Sequence, residues 1–305
     1  MMMSTARIGF VRRYSGGFAR DAVFEQYLRD PVKMIVIPVT TERVFIYHKH
    51  TKDFLNEHSW LIRLETWLTG KAGNVWSKLN ASPKSYNKKI VSGVNRLLMN
   101  IPWTENSLKT IPGDNYLLKR VSKKDGPCGE EAETKLTLKE YLSSKVPLRT
   151  KPVNVYYPGK IITESAVIAE LRTLCEQGLQ YHRKQALLCL LGIPLTIPII
   201  LIPIIPNVPG FYLTYRAYCN LKAYLGAKHL KRIMDTHTPE LKFQDFDAYD
   251  KIWSGETNYA TQKEKLLLND ENLPKILELL EIPEIKFDLH KVVQQETARL
   301  HDERQ

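Results

Sequence analysis

Between Ala186 and Ile205 the chain reads ALLCLLGIPLTIPIILIPII, twenty residues without a charge, and Pro206-Asn207-Val208-Pro209-Gly210 follows. As a helix rising ~1.5 Å per residue, such a run reaches ~30 Å, the hydrocarbon thickness of a bilayer. A buried core helix is the competing reading, and Pro194, Pro198 and Pro203 argue against it. Interior proline costs a soluble helix ~3 kcal/mol, whereas membrane helices tolerate it when neighbours satisfy the freed carbonyls. The run therefore predicts a membrane protein with one Pro-rich segment, a bent transmembrane helix or a re-entrant hairpin. Thr196 is its only hydroxyl. His182, Arg183 and Lys184 precede the run, and Arg216 and Lys222 follow it, so the Lys/Arg distribution sets no orientation.

Charge divides the chain unevenly. The formal net charge is +11, but residues from Asp235 onward carry a net of −7, which leaves +18 on the rest. A basic portion beside a bilayer predicts attraction to anionic lipid, and a cardiolipin-rich membrane would suit it. Nucleic acid, ribosomal RNA among it, is the competing partner. Cys128, Cys175, Cys189 and Cys219 form no C-x-x-C pair and read as free thiols.

Residues 1–20 contain Arg7, Arg12, Arg13 and Arg20 with Ser4, Thr5 and Ser15, and no acid appears before Asp21. That composition marks a mitochondrial presequence. Arg12, Tyr14 and Ser15 resemble a matrix-peptidase site, with the cut between Tyr14 and Ser15.

The remainder reads as mainly α, with α+β character from a short N-terminal β-hairpin. Residues 1–30 are the presequence and flexible N-terminus, and residues 31–118 a soluble α/β region. In that region Met34–Val39 and Arg43–Tyr47 are apolar runs joined by Thr40-Thr41-Glu42, and Pro38 demotes the first to an edge strand. His48 and His50 share a strand face but lack a third ligand, which favours solvated strand-end histidines over a metal site. Residues 119–150, with their charge, Gly and Pro, read as a linker. Residues 151–234 comprise an amphipathic helix, the membrane segment (186–205) and a basic interfacial helix. In the first, Val167, Ile168, Leu171, Leu174, Cys175, Leu179 and His182 fall on one arc, after Ser165 as a possible cap. In the last, Tyr215, Arg216 and Tyr218 suit headgroup depth, aromatic rings at the interface and cations reaching to phosphate. Residues 235–305 form an acidic helical tail.

The stretches Ile101-Pro102-Trp103-Thr104-Glu105-Asn106-Ser107-Leu108-Lys109-Thr110-Ile111-Pro112, Ile204-Ile205-Pro206-Asn207-Val208-Pro209-Gly210-Phe211-Tyr212, Tyr215-Arg216-Ala217-Tyr218 and Gly226-Ala227-Lys228-His229-Leu230 resemble the fungal family of mitochondrial K+/H+ exchange-related proteins. The resemblance runs from about Met34 to Gln294. It implies an inner-membrane protein contributing to potassium–proton exchange, functionally close to the LETM-type proteins, and it brings no catalytic, metal or cofactor residues. An uncharged segment offers no ionisable path for K+ or H+. The chain is therefore expected to be an oligomeric component or regulator of the exchanger, as a homo- or hetero-oligomer. The alternative is a membrane-anchored factor associating with mitochondrial ribosomes or RNA. No Walker loop, Rossmann fingerprint, zinc spacing or nucleophile elbow is present, and no enzymatic activity or cofactor is expected.

Overall fold

The computed structural model describes residues 22–56, 59–124, 131–144, 149–200, 208–235, 240–253 and 264–303. The first half contains α1 (Ala22–Arg29), β1 (Val32–Pro38), β2 (Val44–His50), α2 (Trp60–Asn80), α3 (Ser85–Met99) and α4 (Trp103–Thr110). Then come β3 (Lys119–Lys124), β4 (Glu131–Leu136), α5 (Leu138–Ser143), β5 (Arg149–Thr150), β6 (Val153–Tyr157) and α6 (Glu164–Gly192). The chain closes with α7 (Ile197–Ile200), α8 (Val208–Asp235), β7 (Leu241–Asp245), α9 (Asp247–Asp250), α10 (Asn272–Leu279) and α11 (Lys286–Asp302). The described residues are thus mainly helical, around two small sheets.

The principal sheet has the order β2-β1-β6-β7, with β1 antiparallel to β2 and parallel to β6, and β6 parallel to β7. β1 is buried at every position, and its alternate residues serve opposite layers. Met34 and Val36 face α6 and α8, with Leu171, Leu174, Ala223 and Ala227. Ile35 and Ile37 join Tyr27, Phe246, Leu273 and Leu289 on the other side. An inner strand covered on both faces has to be apolar throughout, as MIVIPV is. β1 is accordingly not the edge strand that Pro38 implied. Pro38 closes the strand, where its missing N–H interrupts little of the ladder. The edges are β2 and β7, and α4 covers β2. Ile46 N donates to Ser107 Oγ at 2.9 Å, Ser107 Oγ donates back to Ile46 O at 2.8 Å, and His48 N donates to Thr110 Oγ1 at 3.1 Å.

The stretch read as a linker, 119–150, contains the second sheet, order β4-β3-β5, and α5 with a Thr137–Glu140 capping box. The acidic tail is not peripheral either. β7 completes the principal sheet, and α10 and α11 supply Leu273, Ile276, Leu289 and Val292 to the core.

The largest departure concerns the apolar run. α6 begins at a Thr163 cap, whose side chain accepts from Ala166 N at 3.3 Å, rather than at Ser165. It buries Val167, Leu171, Leu174, Cys175, Gly178, His182 and Ala186 along one stripe, close to the arc expected, and it carries the run only as far as Gly192. Pro194–Thr196 then forms a 3₁₀ turn, and α7 is a single turn. Among the described residues no helix is long and apolar enough to cross a membrane. This overturns the expected membrane segment. The reason is local: about two turns of apolar helix follow the charged part of α6 before Gly192 and Pro194 end it, and a proline without an N–H cannot continue the i→i−4 ladder.

Candidate functional site

α6 and α8 form an antiparallel pair that connects two adjacent parallel strands, β6 and β7. From Gln185 to Tyr215 the sequence contains no charged residue. The described part of this end is open to solvent: Leu191 is 71% exposed, Leu195 80% and Phe211 70%, with Leu187, Leu188, Leu190 and Ile197 also exposed. Contiguous exposed apolar surface of this kind marks a contact site. Exposed Arg183 and Lys184 lie at its base.

Directly beneath the apolar end is a buried polar layer built by α4, α6 and α8. Glu105 of α4 is fully buried, and Arg216 of α8 meets it with two parallel bonds, Nη1 to Oε1 at 2.7 Å and Nη2 to Oε2 at 2.8 Å. This fork-on-fork geometry is the strongest that arginine offers a carboxylate. Lys109, one turn along α4, lies 3.9 Å from the same carboxylate. Burial opposes the charge on Arg216, and the Glu105 pair outweighs it, so the guanidinium titrates above its ordinary value.

One turn further along α8, Asn220 donates from Nδ2 to Arg216 O at 2.8 Å, which orients its amide. Its Oδ1 then faces His182 Nδ1 of α6 at 2.9 Å. An amide oxygen only accepts, so the neutral His182 carries its proton on Nδ1 and presents Nε2 as the basic nitrogen. Burial, opposed by the Asn220 bond, holds the imidazole below its usual pKa. The layer therefore combines a fixed ion pair with a protonatable ring in a defined tautomer.

Of the residues singled out from the sequence, His182 and Arg216 belong to this layer. Both are buried, which corrects the reading of Arg216 as a headgroup-reaching interfacial cation. Tyr215 is half-exposed at the edge of the apolar end. Tyr218 turns the other way, to Glu65 of α2, where Lys222 Nζ is 2.5 Å from the carboxylate. Burial opposes ionisation of Glu65, and hydrogen bonds from Lys222, Tyr218 and Tyr116 outweigh it, holding the carboxyl below its usual range. Thr196 is buried and donates to Ile193 O at 2.7 Å. Pro194 opens the 3₁₀ turn and Pro198 lies in α7. Pro203, Arg12, Tyr14 and Ser15 lie outside the described residues.

Glu105 and Asn220 were missed as site residues. An acid in the first turn of a short helix after Pro102 reads as ordinary dipole compensation, and only the fold brings it to Arg216. The stretch around it is bound at almost every polar position. Trp103 N donates to Gln295 Oε1 at 2.9 Å and Trp103 Nε1 to Glu296 Oε1 at 2.6 Å, and Asn106 Nδ2 donates to Asp288 Oδ1 at 2.7 Å.

His48 and His50 do share a face, with ring centroids 5.5 Å apart, but His48 is buried rather than solvated. Asp245, Asp247 and Asp250 form a carboxylate group with metal-ligand spacing. Gly159 N donates to Asp245 at 2.8 Å and Lys160 N to Asp250 at 3.1 Å, and Lys160 Nζ stands 3.6 Å from Asp247. A Cβ at position 159 would lie 2.4 Å from the Asp245 carboxylate, so a larger residue there would push that side chain off Gly159 N. These acids anchor that turn. Cys175, Cys189 and Cys219 are free thiols, and Cys128 lies outside the described residues.

The chain is similar to the protein YDL183C of Saccharomyces cerevisiae, at 46% identity over 302 residues, 96% of this chain and 93% of the relative. It is also similar to C23H3.12c of Schizosaccharomyces pombe, at 31% identity over 228 residues, 74% of this chain and 85% of the relative. No solved structure matches significantly. The family model described as mitochondrial K+-H+ exchange-related matches residues 33–234, which takes in β1 through α8 and the whole buried layer. The chain belongs to the mitochondrial K+-H+ exchange-related family.

Proposed function

We propose that this protein takes part in potassium–proton exchange at the mitochondrial inner membrane, as a component or regulator of the exchanger and not as a self-contained transporter. The observation that carries the reading is the position of a protonatable buried layer, Glu105–Arg216–Asn220–His182, immediately below an exposed uncharged helix end, within the part of the chain that the family model covers. The apolar run contains no carboxylate or other ionisable oxygen, and its one hydroxyl, on Thr196, is buried and donates to Ile193 O, so that run by itself lays out no path for a permeating cation. In this reading the exposed end touches the membrane from one side. Arg183 and Lys184 meet anionic headgroups, and other exchange components complete the ion path. The N-terminal 14 residues act as a transit peptide removed at import.

The test is potassium acetate swelling of isolated mitochondria. Loss of the protein is expected to slow swelling, partially where related proteins share the task, and nigericin, which exchanges the same two ions without protein, restores it. Unchanged swelling after removal of this chain and its relatives overturns the reading. So does a defect that nigericin leaves in place while mitochondrial translation fails first. N-terminal sequencing of the organellar protein checks the transit peptide: a start at or near Ser15 supports it, and an intact Met1 refutes it.

A further inference from the structure

Parallel strands β6 and β7 end side by side, with Tyr157 opposite Asp245. Beyond β6 the chain turns through Pro158-Gly159-Lys160 and enters α6. β7, which follows α8, runs into Asp245-Phe246-Asp247-Ala248-Tyr249-Asp250. Ligands of open α/β sheets collect outside the carboxyl ends of such strands. Here one carboxylate oxygen from each of Asp245, Asp247 and Asp250 lies within 4.8 Å of the other two.

The turn uses only part of what these acids offer. Asp245 Oδ1 accepts from Gly159 N at 2.8 Å, and Asp250 Oδ1 from Lys160 N at 3.1 Å. Asp250 is 4% exposed, yet its Oδ2 meets no hydrogen-bond donor among the described residues. Lys160 Nζ stands 4.0 Å from that oxygen and 3.6 Å from Asp247 Oδ1. Both distances exceed a good charge-assisted bond of ~2.7–2.9 Å. The two oxygens thus face one point that a cation approaches without binding. The Lys160 side chain is 68% exposed, so it is free to leave that point. It balances at most one of the three carboxylates. Burial pushes the Asp250 carboxyl up to about 6 against its bond from Lys160 N, and repulsion from Asp245 and Asp247 adds to the rise. A buried acceptor left open beside two more carboxylates points to a missing cation.

We propose that Asp245, Asp247 and Asp250 bind a calcium ion at the ends of β6 and β7, displacing the Lys160 ammonium. An anionic, all-oxygen donor set suits a hard cation. Oxygens within 4.8 Å of one another can share one calcium at ~2.3–2.6 Å. Calcium also tolerates the irregular, partly hydrated shell of an open site, whereas magnesium demands near-ideal octahedral geometry at ~2.0–2.1 Å. With water completing the shell, the affinity falls among the weak calcium sites, at a Kd of ~0.1–1 mM. The ion would join the turn that opens α6 to the strand that follows α8, closing the base of the helix pair.

Calorimetric titration of the full-length protein, stripped with EGTA and desalted, with calcium chloride in a sodium chloride buffer tests this. Saturable binding is expected in the parent, and Asp247→Asn and Asp250→Asn each weaken it at least tenfold. Lys160→Gln removes the competing ammonium and tightens binding at least threefold, a gain that acids serving only the turn cannot produce. Asp270→Asn, at an exposed acid elsewhere, leaves binding unchanged. Circular dichroism establishes which variants fold. Where Asp250→Asn does not, Asp247→Asn and Lys160→Gln, both at exposed side chains, carry the comparison. The proposal falls if calcium gives no saturable signal with the parent, or if the folded variants bind as the parent does. Magnesium bound as tightly as calcium overturns the choice of ion. No arm of the test depends on potassium–proton exchange.

Discussion

Removing Arg216 alone isolates the energetics of the buried layer. In Arg216→Met the Glu105 carboxylate, fully buried, loses its bonds at 2.7 and 2.8 Å and keeps only Lys109 at 3.9 Å. Breaking one side of a buried, hydrogen-bonded pair costs ~3–5 kcal/mol, because the remaining charge has no compensation in a low-dielectric site. At ~2–4 °C per kcal/mol for a chain somewhat below this size, the midpoint of thermal unfolding drops by roughly 6–20 °C. Removing both charges is a different perturbation. Glu105→Leu with Arg216→Met leaves an apolar contact of similar volume and no orphaned ion, and replacements of this kind are often neutral or stabilising. The double variant should therefore unfold within ~1–2 kcal/mol of the parent, less affected than either single. Urea unfolding followed by circular dichroism, run as a double-mutant cycle, measures both quantities. The reasoning is refuted if Arg216→Met costs under ~1 kcal/mol, or if the double variant loses the sum of the singles.

Gly226→Ala places a Cβ 2.3 Å from Leu108 O and 2.7 Å from Ile111 O, so α8 has to move off α4, with a loss of at least ~1–3 kcal/mol in urea unfolding. An unchanged midpoint would remove close packing as the reason for glycine there. Ser107→Ala leaves Ile46 N without its partner and Ile46 O with only Thr110 Oγ1 at 3.3 Å, costing ~1–3 kcal/mol, and amide hydrogen exchange at Ile46 should accelerate before that of inner-strand Ile35. His48, His182 and His229 all titrate below the ordinary histidine value because of burial. With folded values below the unfolded ~6.5, the unfolded chain binds more protons between the two. Their contribution to stability is full above about pH 6.5 and is lost as pH falls from there, each adding a slope of at most ~1.4 kcal/mol per unit. Urea midpoints at pH 7.5, 6 and 5 should show the decline, and His48→Phe should reduce its slope.

Periodicity made the local elements legible, and it failed where the same pattern serves two environments. The arc from Val167 to His182 is the buried stripe of α6, because an amphipathic helix on a sheet has one solution. MIVIPV was read as a strand at the wrong place in the sheet: Pro38 signals an edge only when it lies inside the ladder, and here it ends one. The acidic composition of residues 235–305 suggested a separate surface, yet Leu273, Ile276, Leu289 and Val292 recur among those charges at core spacing. Ala186–Ile205 was the hardest case, since hydropathy cannot tell lipid from an exposed apolar end in a helix pair, and Gly192-Ile193-Pro194 decides where the helix stops. The buried layer was half visible. His182 stood out by lying on an apolar arc, while Glu105 sits 111 residues from Arg216, beyond any local pattern.

The binding of α4 by α11 has a consequence for how this chain acquires its structure. Trp103 is held by Gln295 and Glu296, 192 and 193 residues later, and Tyr27 donates to Leu280 O across 253 residues. Long sequence separations of this kind slow folding, because the loop-closure entropy comes due before the contacts form. A polypeptide delivered from its N-terminus has β1, β2 and α4 in hand long before the helix that completes their core. Until α11 arrives, the side of β1 that carries Ile35 and Ile37, and Trp103 of α4, lack part of their cover, and exposed apolar surface of this kind makes a folding intermediate prone to aggregate. A chain that lacks its last helix would thus fail first at its beginning.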